Sequence, residues 1–304
     1  LAVSKKQAYI NGSRITDLAI EALQDRSEEP LFLFLNYMDA HSPWHTREGY
    51  VDEKIQLDKT VLPRGKRWAR TVLPILSGKR DAPTHIRRTW SEAYDAELRY
   101  LDEQVGRLLD ALPKYGIDEQ DLVILVSDHG EYLGEHRLVE HSKDLYSAAV
   151  DIPLLVRGPG FSAGRDSSPV QILDVPRWIL DATGTPRLPD MVETTDLQVA
   201  ELYWTRHREL AVKSLRDRFD RVRRSFVSGD RVLLLGSDGS REAFDRSTDP
   251  DEIEDQTGLV EDPWIDELEQ SATTWLSGRE PAEGVPVGPN PALEERLRAL
   301  GYLE

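Results

Sequence analysis

An aspartate and a histidine, Asp128 and His129, stand side by side where a strongly apolar run ends. This run, at 122–126, is rich in β-branched residues and predicts a strand buried on both faces. Ligands of open α/β sheets bind beyond the carboxyl ends of such strands. Gly130 permits the chain to turn, so that a carboxylate and an imidazole can converge on one cation. The pattern predicts half of a metal site; a polar strand end followed by a surface turn is the alternative interpretation.

A second apolar run, at 31–35, ends in the same kinds of polar residue, Asp39 and His41. An isolated histidine is usually structural or exposed. Here two predicted buried strands each deliver an aspartate and a histidine at corresponding positions, which makes His41 a further candidate site residue.

The segments between these runs predict how they are connected. Helical periodicity covers 92–112, and a capping box that begins at Thr89 predicts where this helix starts. The helix leads from one apolar run to the other, which predicts a βαβ unit. A third buried strand is predicted at 153–156. Together these elements predict an α/β core at 1–185, with a mostly parallel sheet flanked by helices.

From about residue 186 the pattern changes to short strands separated by turn residues. This pattern predicts a smaller α+β subdomain at 186–304, built on an antiparallel meander. The predicted strands are 221–226, 231–235 and 240–244, and the predicted helices are 263–276 and 292–300.

A long insertion at 46–90 shows little periodicity. It contains eleven Lys or Arg and five Asp or Glu residues, so it is basic in a chain whose net charge is −17. The insertion is interpreted either as a solvated loop or as a lid that draws an anionic substrate towards His41.

Composition excludes several classes of protein. The acidic net charge argues against general nucleic-acid binding, which needs clustered Lys and Arg. The longest apolar runs are far shorter than a membrane span, and no signal peptide is visible in a chain that opens at Leu1, so a soluble protein of unknown compartment is expected. The absence of cysteine excludes disulfides, thiolate metal sites and a cysteine nucleophile within these residues.

Five ordered segments resemble the sulfatases of the alkaline phosphatase superfamily. They are NYMDAHSPW (36–44), YDAELRYLDEQVGRLLDAL (94–112), LVSDHGEYLGEH (125–136), HSKDLY (141–146) and IPLLVRGPG (152–160). Weaker similarity continues towards the C-terminus, in REAFDRSTDPDE (241–252) and LRALGYLE (297–304). Five motifs in one order are far more specific than any single motif. The resemblance implies a sulfatase-like fold and metal-dependent hydrolysis of a sulfuric ester.

The resemblance also implies roles for individual residues. Asp128 and His129 would be metal ligands, although many relatives have Asn at the second position. His41 would contact the sulfate and the leaving-group side, and His141 and Lys143 would bind the sulfate oxygens. Either of the last two can assist the leaving group as an acid. A cation with lysine and histidine donors would stabilise the charge that develops on the leaving oxygen. The alternative interpretation of Lys143 is a solvated lysine at a helix end.

Two departures from the family pattern are informative. Sulfatases need two further metal-binding aspartates and a Cys- or Ser-x-Pro-x-Arg motif whose first residue becomes formylglycine. The nearest fit here, which begins at Ser167, lacks the arginine, and Ser147 replaces the usual acidic residue after HSKDLY. We therefore expect these 304 residues to be the C-terminal part of a sulfatase and to be catalytically silent alone.

Three alternatives remain open at this point. A phosphodiesterase or phosphonate monoester hydrolase of the same superfamily would use similar metal ligands. A serine hydrolase is suggested by Gly160-Phe161-Ser162-Ala163-Gly164, which matches G-x-S-x-G but lacks the strand and helix that must flank it. The third alternative is a non-catalytic binding protein that keeps the sulfatase shell.

The resemblance implies one divalent metal ion, most often Ca²⁺ in this family. A carboxylate with an imidazole suits Mn²⁺ or Zn²⁺ better in general chemistry, and Mg²⁺ is a further alternative. The expected partner is a sulfate ester. Because the insertion is basic, a polyanionic sulfated glycan is the favoured substrate class. The sequence leaves the oligomeric state open.

Overall fold

The computed structural model describes residues 10–27, 29–63, 66–189, 191, 194–203, 207–258 and 263–277. These residues form two compact units. The first unit contains the described residues up to Lys59 together with Thr89–Ile117, and the second contains Thr60–Arg88 and the described residues from Asp118 onward. The boundary expected near residue 186 stays a prediction.

Helices account for much of both units. They are α1 (Gly12–Gln24), α2 (Lys66–Thr71), α3 (Leu73–Leu76), α4 (Thr84–Ala111), α5 (Ser147–Val150), α6 (Asp174–Ala182), α7 (His207–Leu210), α8 (Lys213–Phe219) and α9 (Pro263–Ser277). None of the helices in the described part of the chain has the length and apolar character needed to cross a bilayer.

The longest helix, α4, begins earlier than the capping box predicts. Thr89 lies inside the helix, because the helical hydrogen bonds already start at Pro83, whose carbonyl accepts from the Arg87 amide at 3.0 Å. The insertion is therefore less irregular than expected, since it contributes α2, α3 and the first turn of α4. The predicted helix at 263–276 is confirmed as α9, whereas the helix predicted at 292–300 and the segment 297–304 lie outside the described residues.

Within the described residues, the strands form three small antiparallel sheets. The strands are β1 (Val123–Val126), β2 (Tyr132–Leu133), β3 (Val139–Glu140), β4 (Leu154–Arg157), β5 (Gln198–Leu202), β6 (Arg223–Ser228), β7 (Arg231–Gly236) and β8 (Arg241–Asp245). β1 pairs with β4, β2 pairs with β3, and the other four strands follow the order β5-β6-β7-β8.

The α/β mixture of helices and sheets is confirmed, but the predicted parallel pairing is wrong for these residues. The run 31–35 forms no strand, and Phe32 and Phe34 are 72% and 77% exposed. All strand ladders in the described ranges are antiparallel, including that of β1 and β4, so the predicted βαβ unit is not formed there. An apolar run becomes a strand only where a neighbour satisfies its backbone groups, and the run itself does not specify that neighbour.

The C-terminal meander is confirmed and gains one strand, β5, that the sequence pattern did not reveal. β6 and β7 are joined by a two-residue turn, in which Gly229 has the positive φ (61°) that such turns require. The inner face of this sheet packs against α9. The buried residues of this core are Phe226, Leu233, Ala243, Trp264, Ile265, Leu268 and Ala272.

Candidate active site

A tight turn follows β1 and carries the predicted metal ligands. The Ser127 hydroxyl donates to the carbonyl of His129 at 2.7 Å, and the Gly130 amide donates to the carbonyl of Ala149 at 2.8 Å. A Cβ atom on Gly130 would lie only 2.2 Å from the Ala148 carbonyl oxygen. Glycine is therefore required at this position because the backbones approach closely.

The side chains of Asp128 and His129 lie next to each other in this turn. Asp128 Oδ1 accepts from the His129 amide at 3.0 Å, and Asp128 Oδ2 lies 3.8 Å from His129 Nε2. His129 Nδ1 donates to the Gly130 carbonyl at 2.8 Å, which fixes the ring orientation and places the lone pair on Nε2. The Asp128 side chain is 71% exposed, so this carboxylate is accessible from solvent.

The structure adds Glu131, which the sequence did not single out. β2 and β3 form a short hairpin in which Tyr132 lies opposite Glu140, and this register places Glu131 beside His141. His141 Nδ1 donates to Glu131 Oε1, and both side chains are largely buried. Strands of two residues are too short to stand out in a sequence, so no local signal predicted this hairpin.

His129, Glu131 and His141 together form a group that is able to hold a metal ion. One ligand atom from each lies within 4.8 Å of the other two. The rings of His129 and His141 are stacked, with centroids 4.1 Å apart and planes inclined by 29°. The β2–β3 hairpin thus brings together two predicted site histidines that lie twelve positions apart in the sequence.

The segment from the hairpin turn through β3 to Ser142, which includes His141, has unusual backbone geometry. Four non-glycine residues, His136, Arg137, Glu140 and Ser142, have left-handed φ values of 50°, 59°, 64° and 59°. Such residues are strained and persist only when their surroundings hold them, commonly at functional sites. Arg218 supplies part of this support, since its guanidinium donates to the carbonyl of His136 at 2.9 Å.

A pair of stacked aromatic rings also stabilises this turn. His136 stacks on Tyr146 with centroids 3.7 Å apart, and burial lowers the pKa of His136. Burial also raises the pKa of Tyr146 to about 12, and its hydroxyl donates to Glu242 at 2.8 Å. Tyr146 is therefore neutral at physiological pH and serves packing and hydrogen bonding.

Lys143 occupies a different environment from the one expected of a sulfate ligand. Its side chain is 0% exposed, and Nζ lies 2.8 Å from Oε2 of the buried Glu209. The same ammonium donates to the carbonyl of His141 at 3.1 Å. Its role in sulfate binding stays a prediction, but its resting contacts are with protein groups.

His41 lies in the first unit, whereas the other predicted site residues lie in the second. His41 Nδ1 donates to the carbonyl of Ser42 at 2.5 Å. The neighbouring Asp39 is buried, accepts from the Gly12 amide at 3.1 Å and is paired with Arg47. This aspartate is therefore a structural anchor of the first unit.

The serine hydrolase alternative does not fit the structure. Ser162 lies in an irregular stretch between the end of β4 at Arg157 and the start of α6 at Asp174. A nucleophile elbow requires a helix immediately after the serine. The G-x-S-x-G match is therefore accidental.

The family model Sulfatase matches residues 4–185. Among curated proteins, this chain is 28% identical over 268 residues to the uncharacterized sulfatase YidJ of Escherichia coli K12, covering 79% of this chain and 50% of that protein. It is 27% identical over 186 residues to the choline-sulfatase of Rhizobium meliloti, covering 58% of this chain and 36% of the relative. The chain thus spans about half the length, or less, of these relatives.

Solved structures share the fold at low sequence identity. The complex of BT4656 with its substrate D-glucosamine-2-N,6-O-disulfate aligns with a TM-score of 0.66 and 17% identity, covering 91% of this chain and 72% of the other. The phosphonate monoester hydrolase of Agrobacterium radiobacter aligns with a TM-score of 0.59 and 14% identity, covering 88% and 60%.

These alignments show that the chain has the α/β fold of the two solved structures. Because the family model covers more than half of the sequence, the chain belongs to the sulfatase family.

Proposed function

We propose that this chain carries the metal- and sulfate-contacting part of a sulfuric ester hydrolase active site. The observation that supports this most directly is the 3.8 Å separation between Asp128 Oδ2 and His129 Nε2. Two atoms that are each about 2.0–2.4 Å from one cation are at most roughly 4.8 Å apart, so the pair fits one divalent ion. Ca²⁺ is the proposed ion, with Mn²⁺, Mg²⁺ and Zn²⁺ as alternatives because an imidazole takes part.

The proposed chemistry assigns each side chain a task. When bound, the metal would polarise the sulfate oxygens. His141 would contact a sulfate oxygen and donate a proton to the leaving oxygen, and His41 would contact the leaving-group side. Both histidines donate Nδ1–H to protein acceptors, so Nε2 is the nitrogen that would act on the ester. His141 would give up the Nε2 proton of its doubly protonated ring and keep the proton on Nδ1. Donors fixed in this way stabilise developing charge without reorganising.

The test is hydrolysis of an aryl sulfate by the protein as its gene encodes it. We expect activity that chelation removes and that a divalent ion restores, and we expect His129→Gln to weaken metal binding. Full activity after exhaustive chelation would contradict the proposal. If the protein folds normally but neither binds a divalent ion nor hydrolyses any ester, the non-catalytic alternative is correct.

A phosphonate monoester hydrolase is the second candidate, since one structural neighbour has this activity. The ratio of the hydrolysis rates on a phenyl phosphonate monoester and on the matching aryl sulfate distinguishes a phosphonate monoester hydrolase from a sulfatase. We expect the sulfate to be the better substrate by about tenfold or more, and a reversed ratio would favour the phosphonate.

The 304 residues contain no cysteine from which formylglycine could form. We therefore retain the prediction that they do not hydrolyse an aryl sulfate by themselves. Turnover by this polypeptide alone, abolished by His141→Ala, would overturn that prediction.

The proposed substrate is a sulfated glycan, as in the neighbour solved with a sulfated glucosamine. The basic insertion supports this, because Lys66 and Arg70 on α2 are exposed. Neutralising both, as Lys66→Gln/Arg70→Gln, is expected to raise KM for a sulfated glycan about threefold at low salt, with KM for a small aryl sulfate unchanged. Lys213→Gln serves as the control, and unchanged KM values for both substrates would contradict the steering role.

A further inference from the structure

The segment 141–146 carries two residues that are expected to bind sulfate oxygens, His141 and Lys143. Its only carboxylate, Asp144, contacts the C-terminal sheet. Asp144 Oδ1 accepts from Arg223 Nε at 2.8 Å, and the two side chains are only 6% and 1% exposed. A buried ion pair therefore joins this segment to β6.

Arg223 lies between two carboxylates. Its guanidinium also pairs with Glu242 of β8, and Glu242 Oε1 accepts from the Tyr146 hydroxyl at 2.8 Å. Because Tyr146 and Asp144 belong to the same segment, the sheet holds this segment at two points that are two residues apart. Arg221 donates to the second carboxylate oxygen of Asp144 at 3.0 Å. Together these five residues form the Arg223 network.

Arg223 occupies a position on the sheet that would suit an apolar residue. On the same face, Val227, Val232 and Leu234 are all buried. Replacing a buried ion pair by apolar residues of similar volume is often neutral or stabilising, because the charges must be removed from water before they can pair. Stability alone therefore does not explain a buried guanidinium here, whereas control over the position of the attached segment does.

We propose that Arg223 and Glu242 are positioning residues, which hold Asp144 and Tyr146 and thereby set the position of the segment 141–146 in the active site. A guanidinium presents its donors in one rigid plane, so it fixes the direction of its partners as well as their distance. Apolar contacts are not directional and would let the segment shift. This inference rests on the proposed function, since it takes this segment as one that contacts the sulfate.

The test replaces both members of the buried pair, as Asp144→Leu/Arg223→Met, in the protein as its gene encodes it. No fully buried charge loses its partner, because Arg221 still pairs with Asp238 and Glu242 is partly exposed. We expect an unfolding temperature within about 3 °C of wild type and a kcat/KM for an aryl sulfate that is lower by about tenfold or more. A merely structural role would leave kcat/KM of the folded variant unchanged, and that result would overturn the proposal.

A matched ion pair on the opposite face of the sheet provides the control. Arg224, the next residue of β6, points to the other face and pairs with Glu201 of β5 at 2.8 Å. Arg224→Met/Glu201→Leu removes a pair of the same type from the same sheet, and kcat/KM should stay within about twofold of wild type. An equal loss of kcat/KM in the two double variants would mean that the whole sheet, rather than the Arg223 network, supports the site, and would overturn the assignment.

A smaller change tests the network even if the double variant does not fold. Tyr146→Phe removes only the hydroxyl that donates to Glu242, and it keeps the ring that stacks on His136 and lies edge-on to Phe244. We expect kcat/KM to fall about threefold or more at a nearly unchanged unfolding temperature. Tyr203→Phe, which removes an exposed hydroxyl that donates to a carboxylate at 2.8 Å, is the control. A wild-type kcat/KM for Tyr146→Phe would overturn the proposal.

Hydrogen exchange, read by mass spectrometry, tests the network without any activity. In Asp144→Leu/Arg223→Met the backbone amides of 141–146 should exchange about tenfold or more faster than in the wild type, while those of β1 keep their rates. If no ester is hydrolysed but this local change occurs, the proposed function fails while the positioning contact stands. Unchanged exchange in 141–146 would overturn the proposal.

Discussion

Two stretches with the same sequence pattern have different structures. In each, an apolar run precedes an aspartate and a histidine, at 31–41 and at 122–129. The second run forms β1 and leaves Asp128 exposed beside His129, whereas the first run forms no strand and leaves Asp39 buried against Arg47. The same residue types therefore build a candidate metal site in one place and a structural ion cluster in the other.

The difference lies in the partners that each stretch finds. β1 has β4 as an antiparallel neighbour, and the turn after it is closed by hydrogen bonds to its own residues and to Ala149. Asp39 instead meets a guanidinium that also pairs with the buried Glu97 and lies over the ring of Tyr100 at 3.7 Å. The charge of Asp39 is therefore compensated by a guanidinium inside the protein, whereas the exposed carboxylate of Asp128 stays accessible to a cation.

Breaking the ion cluster of the first stretch should have the largest effect on stability. Arg47→Met leaves two buried carboxylates, Asp39 and Glu97, without their cation, and we expect a loss of about 3–5 kcal/mol in the free energy of unfolding. Denaturant unfolding measures this. Arg14→Met, which removes an exposed pair with Glu21, is the control and should cost less than about 1 kcal/mol. Equal losses for the two variants would show that the cluster contributes no more than a surface pair.

The two aspartates should also differ in metal binding. Asp128→Asn is expected to weaken divalent-metal affinity at least about tenfold, with little change in the unfolding temperature, because an amide is a poorer ligand than a carboxylate. Asp39→Asn should do the reverse, lowering stability while metal affinity is kept. Calorimetric titration with Ca²⁺ and with Mn²⁺ measures both. If the two variants lost metal affinity equally, the distinction between a site aspartate and a structural one would be wrong.

The hairpin that follows the second stretch should be sensitive to acid, because burial lowers the pKa of His136. A folded-state pKa below the unfolded value contributes stability that is complete above about pH 6.5 and is lost as the pH falls through the folded pKa. His136→Asn keeps a residue that tolerates left-handed φ and removes the titration. Between pH 7.5 and 5 the wild type should lose about 1–2 °C more in unfolding temperature than this variant. Identical losses would contradict the assignment.

The smallest effect is expected in the apolar run of the first stretch. Phe34 is exposed in this structure, so Phe34→Ser should change the free energy of unfolding by less than about 0.5 kcal/mol. Phe226→Ala, in the core of the C-terminal sheet, should cost about 3–5 kcal/mol and serves as the reference. A loss above about 1 kcal/mol for Phe34→Ser would mean that this run is packed in solution.

Local signals predicted several elements well. The meander was readable because its turns carry glycine at positions of positive φ, as at Gly229, and α9 was readable from its periodicity. The Asp128–His129 pair and the need for Gly130 were also visible in the sequence. By contrast, β5 and the start of α4 were missed, because neither carries a distinctive boundary signal.

The sequence by itself determined which residues are able to do chemistry here, and the order in which they occur. Only the tertiary structure decided which partner each of these residues contacts. Glu131 contacts His141, and Lys143 is buried in an ion pair with Glu209. Asp39 is buried in an ion pair with Arg47 and stabilises the first unit. The physical reason is that the role of a charged side chain depends on its partner, because the partner offsets the free-energy cost of removing the charge from water. That partner lies far away in the chain, where no local pattern points to it.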